Sequence, residues 1–241
     1  MKLRKKLSYA LSIIGISLSG PAIADLYVYG FSGFNSANGL NITTSNGDFF
    51  VPTTDSGWRD GNFYHNDINR NYFVGHHSNE QVHGEINNYF TFDLSGVNGT
   101  ITTASLNLFT YEIAGSSIDY QLFDITSPLS EVHATGTNAA VYDDLMTGIS
   151  YGSFIYNSSD DNQFRSIPLN SDGILALNSA IGGEFGIGGA IMGGIEGGIP
   201  PIPEPETYAM WLAGLGLLGF LGYRRKTQAS IASSANLMMA H

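Results

Sequence analysis

The stretch INNYFTFDL, Ile86 to Leu94, alternates side-chain character residue by residue. Phe90, Phe92 and Leu94 fall on one face of an extended chain, and Thr91 and Asp93 on the other. That two-residue period is the mark of a half-buried β-strand. Gly96-Val97-Asn98-Gly99 follows as a turn, and Ala104–Thr110 then repeats the pattern, with Leu106 and Leu108 inward and Ser105 and Asn107 outward. Ile118–Ile125 does the same through Ile118, Tyr120 and Leu122. Amphipathic strands separated by turn residues predict antiparallel sheets, each with one apolar face to bury. Two such sheets packed together give the expected fold class: all-β, an antiparallel β-sandwich, jelly-roll-like.

Outward from these strands the pattern weakens. Asp25–Phe31 reads as a first strand, Ser32–Gly47 as an Asn/Ser/Gly/Thr-rich loop, and Asp48–Val51 as a short strand stopped by Pro52, which has no N–H to donate. Thr53–Asn71, containing Trp58 and Arg59, reads as polar and irregular. Downstream, two short helices are expected. Asn138 would cap one over Ala139–Met146, and Ser171 would cap the other over Asp172–Ile181. Ser150–Tyr156 and Gln163–Leu169 are strands between them, and Glu184–Ile187 is the last strand. The sandwich domain is assigned to residues 25–189, and residues 190–202, rich in glycine and proline, to a linker.

Both ends have the composition of export signals. Lys2, Arg4, Lys5 and Lys6 precede the apolar run Leu7–Leu18, and Ala22-Ile23-Ala24 supplies a small-residue cleavage site. Residues 1–24 therefore read as a signal peptide for the Sec pathway, cleaved after Ala24. At the other end Pro203-Glu204-Pro205 is followed by the uncharged run Tyr208–Tyr223 and then Arg224-Arg225-Lys226. As a helix this run would be about 24 Å long, short of a hydrocarbon core of about 30 Å. Snorkelling arginines and the anchors Tyr208, Trp211 and Tyr223 make up the difference, so a transmembrane helix is expected, its basic stop on the cytoplasmic side. A short tail, residues 227–241, follows.

Motif, span and basic cluster in that order resemble the PEP-CTERM sorting signal of Gram-negative bacteria, here over residues 203–226. The resemblance implies a substrate of an exosortase, a transpeptidase-like membrane protease. It further implies transient anchoring in the inner membrane, then a place at the cell surface or outside the cell, in strains that make exopolysaccharide. Tyr89–Leu94, Ala104–Leu108, Tyr142–Leu145, Tyr151-Gly152-Ser153 and Phe185–Gly189 resemble a domain carried by other PEP-CTERM proteins. That likeness implies a sandwich without established catalysis.

Charge narrows the partners. Between Asp25 and Ile199 there are 19 of the 21 acidic residues and only three cations, Arg59, Arg70 and Arg165, a formal charge of about −16. Such a surface repels nucleic acid and anionic lipid. Cysteine is absent, so no disulfide staples the domain. In the run Asn66–Asn71, Asp67, Asn69 and Asn71 offer oxygens at alternate positions, which calcium uses, although Asx-turn chemistry explains the same residues. No other cofactor is expected. His76, His77, His83 and Glu85 have zinc-ligand chemistry at a spacing that matches no helical zinc motif, and read as surface histidines of a polar loop. No nucleophile elbow or phosphate-binding loop occurs. The expected function is a non-enzymatic surface or extracellular-matrix protein associated with exopolysaccharide or biofilm. The alternatives are a carbohydrate-binding module or adhesin with a defined glycan, and a polysaccharide-degrading enzyme.

Overall fold

A computed structural model describes residues 25–77 and 84–192. Strands occupy Leu26–Gly30 (β1), Gly39–Thr44 (β2), Gly47–Arg59 (β3), Tyr64–His65 (β4), Tyr72–His76 (β5), Glu85–Asp93 (β6) and Ile101–Thr110 (β7). They continue with Glu112–Ala114 (β8), Ile118–Asp124 (β9), Gly136–Thr137 (β10), Ser150–Tyr156 (β11), Gln163–Pro168 (β12) and Glu184–Ile191 (β13). Among the described residues three α-helices interrupt them: Leu129–Val132 (α1), Ala139–Asp144 (α2) and Ser171–Ala180 (α3). Every strand pairing among the described residues is antiparallel.

One sheet runs β12-β7-β2-β3 and the other β3-β6-β13-β9-β11. β3 belongs to both. Residues Gly47–Pro52 pair with β2, and Thr53–Arg59 pair with β6 after a bulge between Thr53 and Asp55. A third group, β8-β1-β5, joins β6 where Gly75 faces Ile86. The sheets share one core. Leu40, Ile42, Leu106, Leu108 and Ile167 come from one side, and Phe90, Phe92, Tyr120, Leu122 and Ile187 from the other. Val28 and Val74 close it from β1 and β5.

The alternation around residue 90 is present, but β6 is not half-buried. Its back face, including Tyr89 and Thr91, is covered as well, because Tyr89 packs against Val132, Val141 and Leu145 of the α1–α2 region. Three other expectations are corrected. The segment Ser32–Gly47 is not all loop: β2 lies inside it, and its Leu40 and Ile42 are core. Pro52 does not end a strand, since its missing N–H falls at the handover between the two ladders of β3. Thr53–Arg59 is therefore strand, not irregular chain, and β5 is a further strand that the polar surroundings concealed.

α2 is capped as expected, Asn138 accepting from Val141 N. The cap of α3 is Asn170 rather than Ser171. Its Oδ1 accepts from Asp172 N and Gly173 N, while its own N and Nδ2 donate to Tyr151 O and Ser150 O. Those bonds to β11 hold residue 170 outside the helix. β13 runs on to Ile191, two residues into the stretch read as linker. Its glycines follow from space: a Cβ on Gly188 would come within 2.7 Å of Leu145 O. Among the described residues no helix is long and apolar enough to cross a membrane. The expected span, Tyr208–Tyr223, lies outside the described residues.

Leu106 and Asn107 test the facing of β7. Leu106→Asp places a charge in the core without a partner and should remove several kcal/mol of stability, on the order of 4. Asn107→Asp, on the outer face, should cost no more than about 0.5 kcal/mol. Urea denaturation of the full-length chain followed by circular dichroism reads both, and equal losses would refute the register.

Candidate functional site

The residues of the two export signals, Ala22, Ala24, Pro203, Glu204, Pro205, Arg224, Arg225 and Lys226, lie outside the described residues, as does His83. Of the other histidines in the zinc-like set, His76 ends β5 opposite Glu85 in the β5–β6 ladder, and the His77 ring lies 5.1 Å from that of Tyr27. Among the described residues no group of three or more His, Cys, Asp or Glu side chains is placed to hold a metal ion.

The run read for calcium is a set of turns that ties loops together. Asn66 Oδ1 accepts from Ile68 N and Asn69 Oδ1 from Asn71 N, the local Asx pattern. Asp67 Oδ1 accepts from Thr135 Oγ1 at 2.5 Å. Asn71 Oδ1 accepts from Ser32 N at 2.9 Å, while its Nδ2 donates to Tyr29 Oη at 2.7 Å. Each of these oxygens is thus engaged with the chain itself.

The densest polar constellation is one the sequence did not disclose. Arg59, at the end of β3, is 0% exposed. Among the described residues its guanidinium meets no carboxylate. Nη1 donates to Phe63 O and Gly136 O, and Nη2 to Glu131 O, Val132 O and Ala134 O, at 2.9 to 3.2 Å. Three of these carbonyls lie at or just beyond the C-terminal end of α1, where the helix carries partial negative charge. Burial lowers the pKa of Arg59 from its usual value, and the guanidinium remains charged, since arginine starts far above neutral pH. The clamp also sets β4 against β10, which pair through His65 and Gly136.

His65 stands beside it. Its Nδ1 lies 3.0 Å from Trp58 O, which can only accept, so the Nδ1 proton is in place. Tyr89 Oη, 3.1 Å from Nε2, then donates to it. Burial, aided by the Arg59 charge, pushes the His65 pKa down, although the bond to Trp58 O opposes this. The ring is neutral, and the lone pair on Nε2 is occupied, so it has no free base to offer. Asp55 completes the group at 3.3 Å from Arg70 Nε and 3.8 Å from His133 Nε2. This arrangement anchors loops. The available signal for it was rarity: Arg59 is one of three cations in a domain of about −16.

Against known families, residues 201–226 match the model for the PEP-CTERM protein-sorting motif. The match takes in Pro203-Glu204-Pro205, the apolar run and Arg224-Arg225-Lys226. Neither a curated protein nor a solved structure matches the chain.

Two measurements test the clamp. Lysine has three donors for the five carbonyls of Arg59, so Arg59→Lys should cost about 2–5 kcal/mol in urea denaturation; a loss below about 0.5 kcal/mol would refute the clamp. His65 gives a pH signature. The unfolded chain takes up a proton near pH 6.5 that native His65 refuses, so stability is full above that value and falls as pH drops below it. The melting temperature should decline from pH 7.5 towards pH 5.5, with a smaller slope in His65→Gln; identical slopes would remove His65 from the account.

Proposed function

We propose that this chain, an exported protein sorted through its PEP-CTERM signal, is a non-enzymatic component of the cell surface or of an exopolysaccharide-rich extracellular matrix. The match over residues 201–226 carries the reading. The sorting motif makes the chain a substrate of an exosortase, a membrane protease, with membrane anchoring before release to the surface or medium.

The finer route follows from the termini. Residues 1–24 act as a Sec signal peptide cleaved after Ala24. Tyr208–Tyr223 then holds the precursor in the inner membrane, stopped by Arg224-Arg225-Lys226, until processing at the proline motif. A structural role for the domain is supported by how it spends its buried titratable groups: Arg59, His65 and Tyr89 hold loops. We read the domain as a jelly roll. The order β6-β13-β9-β11 in one sheet, faced by β3, β2, β7 and β12 in the other, supports that topology with eight strands.

Replacing Pro203-Glu204-Pro205 with three alanines should trap the precursor in the membrane fraction of the producing cell. Immunoblots of membrane and medium read the outcome. Mature protein in the medium at wild-type level would end the sorting assignment.

A further inference from the structure

The outer face of the β3-β2-β7-β12 sheet carries a groove of about 580 Å³. Its floor is built from alternate positions on paired strands: Asn41 and Thr43 of β2 lie beside Ser105 and Thr103 of β7. Phe50 of β3, opposite Asn41, forms one wall, and Pro168 of β12, opposite Ser105, the other. Phe50 is 46% exposed. Its ring lies over Gly39, where a Cβ would sit 2.8 Å from it, so the glycine lets the ring rest on the sheet as a plate.

The four polar side chains of the floor make no hydrogen bond to the described protein. The other aromatic face behaves differently. On β1 and β5, Tyr27, Tyr29 and Phe73 pack edge to face, Tyr27 Oη donates to Glu112, and Tyr29 Oη accepts from Asn71. That face satisfies itself, whereas the groove holds its donors and acceptors open on rigid strands.

Charge selects the partner. Asp48 is the only charged residue lining the groove. The described residues contain no lysine, and all three arginines are occupied elsewhere: Arg59 by carbonyls, Arg70 by Asp55 and Arg165 by Asp160. An anionic polymer finds no counter-charge here. A lipid or apolar peptide would leave the floor's amide and hydroxyls unpaired under it, at a cost. A neutral sugar chain offers an apolar C–H face to an aromatic ring and hydroxyls to the floor.

We propose that this groove binds a neutral polysaccharide, with Phe50 stacked on a sugar ring and Asn41, Thr43, Thr103 and Ser105 hydrogen-bonded to its hydroxyls. The proposal deepens the matrix reading and rests on it for where the ligand is met. Binding is tested in vitro and sorting in cells, so one can fail without the other.

The test is native electrophoresis of the full-length chain, kept soluble in a detergent without a sugar headgroup. Gels contain dextran, galactomannan, hydroxyethylcellulose, a soluble (1→3)-β-glucan or, as the anionic control, alginate. At least one neutral polymer should retard the protein and alginate should not. The retardation should be unchanged between about 0.05 and 0.5 M NaCl, because no ion pair is involved. Phe50→Ala should weaken binding about tenfold. Phe50→Trp should keep it, and Tyr111→Ala, on the other face, should leave it unaltered. Asn41→Ala together with Ser105→Ala should also weaken it, and that variant decides the matter if Phe50→Ala does not fold. Retardation by alginate alone, by none of the four neutral polymers, only at low salt, or undiminished in the groove variants would overturn the proposal.

Discussion

The architecture depends on one strand that serves two sheets. β3 runs for 13 residues, pairing first with β2 and then with β6. A strand shared in this way fixes how the two sheets meet, because neither can shift without breaking a ladder. Pro52 and the bulge between Thr53 and Asp55 make the passage possible. The proline removes a donor at the one place where the strand changes partners, and the bulge adds the local bend. The same strand then carries both polar constellations described above. Before the crossing it presents Phe50 to the outer face; after it, Gly57 and Arg59 lie against the loops and helices behind β6, while Trp58, on the opposite face, packs with Tyr27 and Phe73 of β1 and β5.

What lies behind β6 explains the use of a buried arginine. α1 has four residues and α2 six, too short to be stable on their own. They persist because Tyr89, Val132, Val141 and Leu145 bury against one another and because Arg59 gathers carbonyls at and just beyond the end of α1. A carboxylate partner would have held the guanidinium as a local pair. Five carbonyls from two separated segments hold it as a junction, their charge-assisted bonds to Nη1 and Nη2 acting against the desolvation of the charge, while Nε meets no partner among the described residues. Gly57 belongs to the same packing, since a Cβ there would meet Tyr89 Oη and the His65 ring at 2.6 and 2.8 Å.

The strands legible in the sequence were β6, β7, β9, β11 and β12, which have an apolar period between turn residues, together with the apolar runs of β1 and of the first half of β13. β2 was hidden because only Leu40 and Ile42 mark its inner face, while Asn41, Thr43 and Thr44 resemble loop composition. The second half of β3 was hidden for a different reason. Its Ser56, Gly57 and Arg59 are buried for polar or steric purposes, which no hydropathy period records. The sorting signal was legible in full because its recognition depends on order and composition alone. The clamp was not, since five backbone carbonyls leave no trace in the side chains that carry them. In the Asn66–Asn71 run, the oxygens of Asn66 and Asn69 close local turns and Asp67 Oδ1 accepts from Thr135.

An acidic domain with an almost uncharged groove separates two tasks by physical range. Its charge of about −16 acts over roughly a Debye length, about 8–10 Å in physiological salt, and keeps copies of the domain and anionic polymers apart. Contacts inside the groove act at hydrogen-bond distance and involve no ion, so salt leaves them alone. Were the three arginines free on the surface, they would attract the anionic polymers that the rest of the domain repels. Arg59 is instead buried on its carbonyls, and Arg70 and Arg165 are paired with Asp55 and Asp160, so the acidic surface sets how the domain meets a charged polymer.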